Sequence, residues 1–157
     1  GRKLIAVHSD REIATTRAVL VREREETEVF FLETEDGLQL PGGEIEFERA
    51  IPDWDRGNFI ASCQQYLREQ VRIETPWLSY IGDYPEGDGL CRVYGYTFND
   101  NGFPVGYRGS WLPLSQVPAE RLCSKWEIEA VRLWLDPKFI RGKGLSQAAC
   151  RVDQFAY

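Results

Sequence analysis

The chain has 157 residues, 43% of them hydrophobic and 28% charged, which is the size and composition of one soluble domain able to bury a core. A formal charge of −6 and a pI near 4.9 oppose sequence-independent nucleic-acid binding, which rests on Lys and Arg neutralising phosphates, so an extended DNA or RNA groove is not expected. Apolar runs are only a few residues long and the basic N-terminal residues lead into no hydrophobic segment, so neither a membrane span nor a signal peptide is predicted and a cytoplasmic protein is the default.

Ile13 to Val21 is rich in β-branched residues, and the charged stretch Arg22 to Glu28 separates it from the apolar run Val29 to Leu32, so the two read as strands. Asp36-Gly37 turns the chain into a third short strand, Leu38 to Leu40. It ends at Pro41-Gly-Gly43, where proline stops strand pairing and the glycines allow a tight loop. From Asn58, a plausible N-cap after Gly57, the residues Phe59, Ile60, Cys63, Tyr66 and Leu67 recur at helical spacing and place Gln65 and Glu69 on the opposite face. Trp77 to Tyr84 and Leu90 to Phe98 read as strands joined by the turn-forming Pro85 to Gly89, a candidate pocket rim.

Asn99 to Gly102 punctuates the next loop, and a further strand ends in Trp111-Leu-Pro-Leu114. A last helix is predicted from Ser124, with its hydroxyl as cap and Glu127 reaching back in a capping box, to a stop before Pro137. Capping explains Glu127 more simply than a role as general base. Residues 137–157 form a C-terminal arm without sustained periodicity, so the expectation is one domain over 1–157 with that arm attached. Cys63, Cys91, Cys123 and Cys150 contain no Cys-x-x-Cys pair and His8 is the only histidine, so the thiols are expected reduced and mostly buried rather than zinc ligands.

Two stretches carry a family resemblance. Leu40-Pro-Gly-Gly43 followed by the helix through Gln64-Gln-Tyr-Leu-Arg-Glu69 resembles a Nudix box, and Trp111-Leu-Pro-Leu114 resembles the later Nudix segment Trp-x-Pro-Leu. The resemblance covers most of residues 12 to 135 and implies an α/β fold, a Nudix-like α/β/α sandwich with a mixed β-sheet. In that family the helix pattern is Arg-Glu-x-x-Glu-Glu, whose glutamates hold a divalent cation. Laid on residues 64 to 69, the pattern meets Gln64, Gln65, Arg68 and Glu69, so only Glu69 is retained. The usual following Gly falls on Val71, and the Glu expected after the glycine pair falls on Arg49. Fourteen residues separate Arg49 from Gln64 where the family pattern has seven, so 51–57 reads as an insertion.

The chemistry implied is therefore thin. Hydrolysis in the family uses Mg²⁺ or Mn²⁺ with oxygen ligands, and Glu69 as catalytic residue would need Glu44 and Glu46 to complete a metal set. Glu48, Asp53 and Asp55 add nearby acids, although a solvated loop accounts for such a cluster. Arg68 brings a fixed positive charge instead; at about 4 Å and an effective dielectric near 20, each unit-charge contact is worth roughly 4 kcal/mol. A metal-independent ligand site would use Gly42, Gly43, Gln65 and Arg68, with Trp54 and Tyr84 singled out for stacking from the aromatics Trp54, Tyr84, Tyr94, Tyr96, Phe103, Tyr107 and Trp111. Three functions remain open: binding a nucleotide or nucleoside-diphosphate-linked molecule with little or no hydrolysis, a weak or altered Mg²⁺- or Mn²⁺-dependent pyrophosphohydrolase, and an interaction scaffold with a vestigial cleft, marked by a homodimer or another partner contact.

Overall fold

The structure, a computed structural model, describes residues 13–45, 57–74, 77–99 and 108–139. Seven strands form one mixed sheet: β1 (Ile13–Glu23), β2 (Thr27–Thr34), β3 (Gly37–Gln39), β4 (Gly42–Glu44), β5 (Ser79–Glu86), β6 (Gly89–Phe98) and β7 (Gly109–Pro113). The order runs β3-β2-β1-β6-β5, with β4 also pairing β1 and β7 also pairing β2. The β1–β6 pair is parallel and every other pair antiparallel, so the expected mixed sheet is present.

One helix covers each face: α1 (Gly57–Gln70) and α2 (Trp126–Leu135). The alternation of strand side chains explains why Ala18 to Val21 of β1 and Val29 to Leu32 of β2 are apolar without interruption. Ala18, Leu20, Phe30 and Leu32 join Phe59, Cys63 and Leu67 of α1 in one core, while Val19, Val21, Val29 and Phe31 join Trp126, Ala130, Val131 and Trp134 of α2 in the other. Leu112 and Leu114 pack against the α2-side core.

Several boundaries differ from expectation for physical reasons. The strands of the β5–β6 hairpin run on to Glu86 and from Gly89, leaving Gly87-Asp88 as a two-residue turn; Pro85 is tolerated because, among the described residues, β5 is an edge strand that pairs only β6. Asn58 is the second residue of α1 rather than a residue preceding it. At the start of α2, Lys125 occupies the cap position without a side-chain hydrogen bond, so the Ser124 hydroxyl does not cap; only the returning half of the capping box forms, Glu127 Oε2 accepting the Ser124 N–H at 2.9 Å. Cys63, Cys91 and Cys123 are free thiols, and burial pushes the Cys63 thiol up to about 12. Among the described residues no helix is long and apolar enough to cross a membrane. Glu46, Glu48, Asp53, Trp54, Asp55, Phe103, Tyr107, His8, Cys150 and most of the C-terminal arm lie outside the described residues.

Candidate functional site

Strand β1 carries β6 along one edge, while its other edge is shared between β2 at residues 21–23 and β4 at 15–17. The Leu40–Gly43 turn sits where β2 and β4 part. Five residues on three elements, β1, α1 and α2, fix it. The Ala18 N–H donates to Pro41 O at 2.9 Å, and Arg17 Nη1 donates to Leu40 O at 2.9 Å. Glu127 Oε1 accepts the Leu40 N–H at 2.6 Å. Gln70 accepts the Gly42 N–H and donates to Gly42 O, each at 2.9 Å, and the Tyr66 hydroxyl donates to Glu44 O at 2.7 Å.

Glycine is required at one position here and favoured at the next. Gly42 has φ 147°, and a Cβ on it would meet Thr16 O at 2.0 Å; a Cβ on Gly43 would lie 2.5 Å from the Tyr66 ring. Tyr66, which the apolar stripe assigns to the helix core, thus serves as a contact to the turn.

The predicted helix residues Gln65, Arg68 and Glu69 do converge, on the exposed face of α1. Gln65 Nε2 donates to Glu69 Oε2 at 2.6 Å, Arg68 Nη2 donates to Gln65 Oε1 at 2.9 Å, and Arg68 pairs with Glu74 at 3.6 Å. Glu44 is exposed on β4. Tyr84 lies on the opposite side of the sheet, stacked on Trp126 with ring centroids 4.9 Å apart and planes 11° apart, and burial raises its phenol. Trp54 and Glu46 cannot be placed in this arrangement because they fall outside the described residues.

The described residues do not fit a divalent cation well. Among the described residues no three His, Cys, Asp or Glu side chains come together. Oxygens of the turn and of the exposed face of α1 already accept protein donors: Gly42 O from Gln70 and Glu44 O from Tyr66 at the turn, Gln65 Oε1 from Arg68 and Glu69 Oε2 from Gln65 on the exposed face. A hard cation needs several such oxygens directed at one point.

The left-handed residue that ends α1 is Arg72, at φ 66°. Its N–H bonds to Leu67 O at 2.9 Å, and the Val71 N–H also bonds to Leu67 O, at 3.0 Å. This is the position after a helix where glycine is favoured, and it lies one residue beyond Val71.

Two buried ion pairs brace the sheet from opposite faces. Arg17 grips Glu86 through Nε at 2.9 Å and Nη2 at 3.0 Å; burial works to lower the guanidinium, but the Glu86 hydrogen bonds and charge outweigh it and leave it raised. Arg92 grips Asp83 through Nε and Nη2, both at 3.0 Å, and lies 5.0 Å from the Phe59 ring centroid and 5.5 Å from that of Tyr80. Glu127 is 1% exposed, and burial raises its carboxyl to about 7 despite the N–H groups of Leu40 and Ser124 that favour its charge.

A row of rings stands on the α1 side of the sheet. Trp111 meets Phe30 edge-on at 5.5 Å and Phe98 at 5.8 Å, Phe98 meets Tyr96 at 4.9 Å, and Arg22 lies 4.5 Å from the Trp111 ring centroid while pairing with Glu28. Tyr96, Phe98 and Trp111 are only partly buried. From Ala18, which holds Pro41, to Arg22 is four residues of one strand, roughly 13 Å at about 3.3 Å each.

Sequence reasoning missed Gln70, Phe98 and Arg22. It passed over Tyr96 and Trp111 because strand aromatics read as core. The spacing of Tyr66 and Gln70, four apart and so on one helix face, was the available signal for the contact to the turn.

No protein-family model and no curated protein matches the sequence. Solved structures do match by shape. Shewanella oneidensis NrtR in complex with a 27mer DNA superposes with a TM-score of 0.56 at 18% identity over 78% of this chain, and the chain spans 61% of that protein's length. The NUDIX domain of the same NrtR, complexed with ADP ribose, superposes with a TM-score of 0.56 at 18% identity, covering 78% of this chain and 88% of that domain. An Ap4A hydrolase from C. elegans superposes with a TM-score of 0.55 at 12% identity, covering 76% of this chain and 94% of that one. The fold is Nudix-like.

Proposed function

We propose that this Nudix-like domain binds a nucleotide or nucleoside-diphosphate-linked ligand with little or no hydrolysis. The observation that carries the reading is the face of α1 turned to the glycine turn. It bears Tyr66 and Gln70, and both are committed to backbone groups of the turn. The position of Arg72 supports sliding the motif one residue from its sequence placement, so that Arg72 takes the glycine's place. Gln65, Tyr66, Glu69 and Gln70 then stand for Arg, Glu, Glu and Glu. Two of the three glutamate positions become the two residues that touch the turn, where the family's cation would be held, and neither is acidic.

The ring row supplies a surface for a base. Tyr96, Phe98 and Trp111 are partly exposed and Arg22 lies beside them, and stacking on such rings is worth about 1–3 kcal/mol per base. The distance from that row to the turn suits a ligand extended along β1. The ADP ribose bound by the NrtR NUDIX domain makes it the first ligand to try.

Calorimetric titration with ADP-ribose, dinucleoside polyphosphates, NADH and nucleoside triphosphates tests the reading, with chromatography of the same mixtures for products. Saturable binding without product is the expected result. Metal-dependent turnover abolished by Glu69→Gln would instead establish a hydrolase, and silence across the whole panel would favour a scaffold. Trp77, 58% exposed, and Tyr80, 40% exposed on edge strand β5, are where the scaffold reading would look for a partner.

A further inference from the structure

We propose that Gln70 is a neutral lock that closes the junction between α1 and the glycine turn without a divalent cation, so that ligand binding by this domain is independent of metal. The inference rests on the ligand-binding reading above but concerns how the junction is held.

A carboxamide differs from a carboxylate in carrying a donor as well as an acceptor. Gln70 uses both on one residue, taking the Gly42 N–H on Oε1 and giving Nε2–H to Gly42 O, each at 2.9 Å. A glutamate in the same place would still accept from Gly42 N, but its second oxygen would face Gly42 O with no hydrogen between them. That oxygen-to-oxygen contact is tolerable only with a proton or a cation in the gap. Gln70 therefore supplies internally what a cation would supply from solution.

The backbone cannot yield to relieve such a contact. Gly42 is fixed at φ 147° with Thr16 O directly behind it, and Arg17 and Glu127 hold the preceding Leu40 peptide by its C=O and N–H. The neighbouring side chains reinforce the lock. Tyr66 directs a hydroxyl hydrogen at Glu44 O, where a carboxylate would present another oxygen, and Arg68 adds a cationic group on the adjoining face of the helix. Gln70 and Tyr66 lie one helical turn apart, so the lock spans the turn from Gly42 to Glu44.

The test uses the full chain. In ¹H–¹⁵N spectra of the wild type, the Gly42 amide and the Gln70 carboxamide are expected to keep their intensity as Mn²⁺ is added to millimolar concentration. Selective broadening of those two signals would overturn the lock. Thermal unfolding of the wild type is expected to be the same in EDTA and in millimolar Mg²⁺, whereas Gln70→Glu should melt lower in EDTA and recover with Mn²⁺. A Gln70→Glu protein as stable as the wild type in EDTA, with no response to Mn²⁺, would also overturn it. If that variant does not fold, the wild-type spectra still decide.

ADP-ribose affinity measured in EDTA and in Mg²⁺ completes the test. Equal affinities are expected, and a tenfold or greater gain with Mg²⁺ would overturn metal independence. Absence of any ADP-ribose binding would count against the functional reading alone, because the Mn²⁺ spectra need no ligand.

Discussion

The Glu127 carboxylate reaches from the first turn of α2 to accept the backbone N–H of Leu40 at 2.6 Å, so the helix on one face of the sheet holds the entrance to the glycine turn. The same carboxylate takes the Ser124 N–H at 2.9 Å, which makes one side chain serve both its own helix start and a distant turn.

This arrangement has a definite pH signature. Burial raises Glu127 from 4.5 to about 7, so the folded protein holds the proton more tightly than the unfolded chain. The stability from this group is fully present below pH 4.5 and is lost as pH rises towards 7, by on the order of 3 kcal/mol. Urea unfolding at a series of pH values should show that decline in the wild type. Glu127→Gln should remove this component of the slope, whatever its effect on absolute stability; an unchanged slope would refute the assignment.

The two kinds of ion pair should respond very differently to mutation. Asp83→Ala leaves the Arg92 guanidinium, whose side chain is only 10% exposed, without its bidentate partner, and a cost of about 3 to 5 kcal/mol is expected. Glu74→Ala removes the exposed partner of Arg68 and should cost less than about 0.5 kcal/mol. Denaturant midpoints of the two variants, compared at one pH, check the contrast.

Adjacent glycines should differ in the same way. Gly42→Ala puts a methyl into the Thr16 carbonyl at an unfavourable φ, with only backbone to move, and is expected to prevent folding or cost more than about 3 kcal/mol. Gly43→Ala meets the far end of the Tyr66 ring, which can swing aside at the expense of its bond to Glu44 O, so a loss of about 1 to 2 kcal/mol is expected. Thermal unfolding of the two variants would rank them.

Ligand affinity and stability should separate at two aromatic residues. Trp111→Leu is expected to weaken ADP-ribose binding by roughly 10- to 100-fold if a base stacks there. Tyr84→Leu, which removes a ring from Trp126 on the other face, should lower the melting temperature and leave affinity within about twofold. Calorimetry on both proteins checks this, and the reverse pattern would move the ligand to the α2 side.

Much of the fold was legible because burial on both faces writes a simple pattern. The short unbroken apolar run Val29 to Leu32, between polar flanks, reads as a strand covered on both faces, and Phe59, Cys63 and Leu67 mark one helix face. The Leu40–Gly43 turn was legible from its own residues. The end of α1 was not, because a non-glycine, Arg72, takes the left-handed position and leaves no punctuation in the sequence. Gln70 stayed hidden for another reason. Its role is a bond to a backbone 28 residues away, and nothing in a lone glutamine announces such a partner. Tyr84 drew attention as a neighbour of turn-forming residues, whereas the edge position of β5 lets the strand continue through Pro85.

The four residues from Leu40 to Gly43 are gripped from both sides of the sheet, α2 holding the Leu40 peptide through Glu127 and α1 holding Gly42 through Gln70. Neither helix can lift away while the turn stays in place, so the two cores are joined into a single cooperative unit by a segment that gives Leu40 to the α2-side core and is held by α1 at Gly42. The backbone amides of Leu40 and Gly42, although they lie at the short link between β3 and β4, should exchange with deuterium as slowly as those of central β1, opening only when the entire domain does.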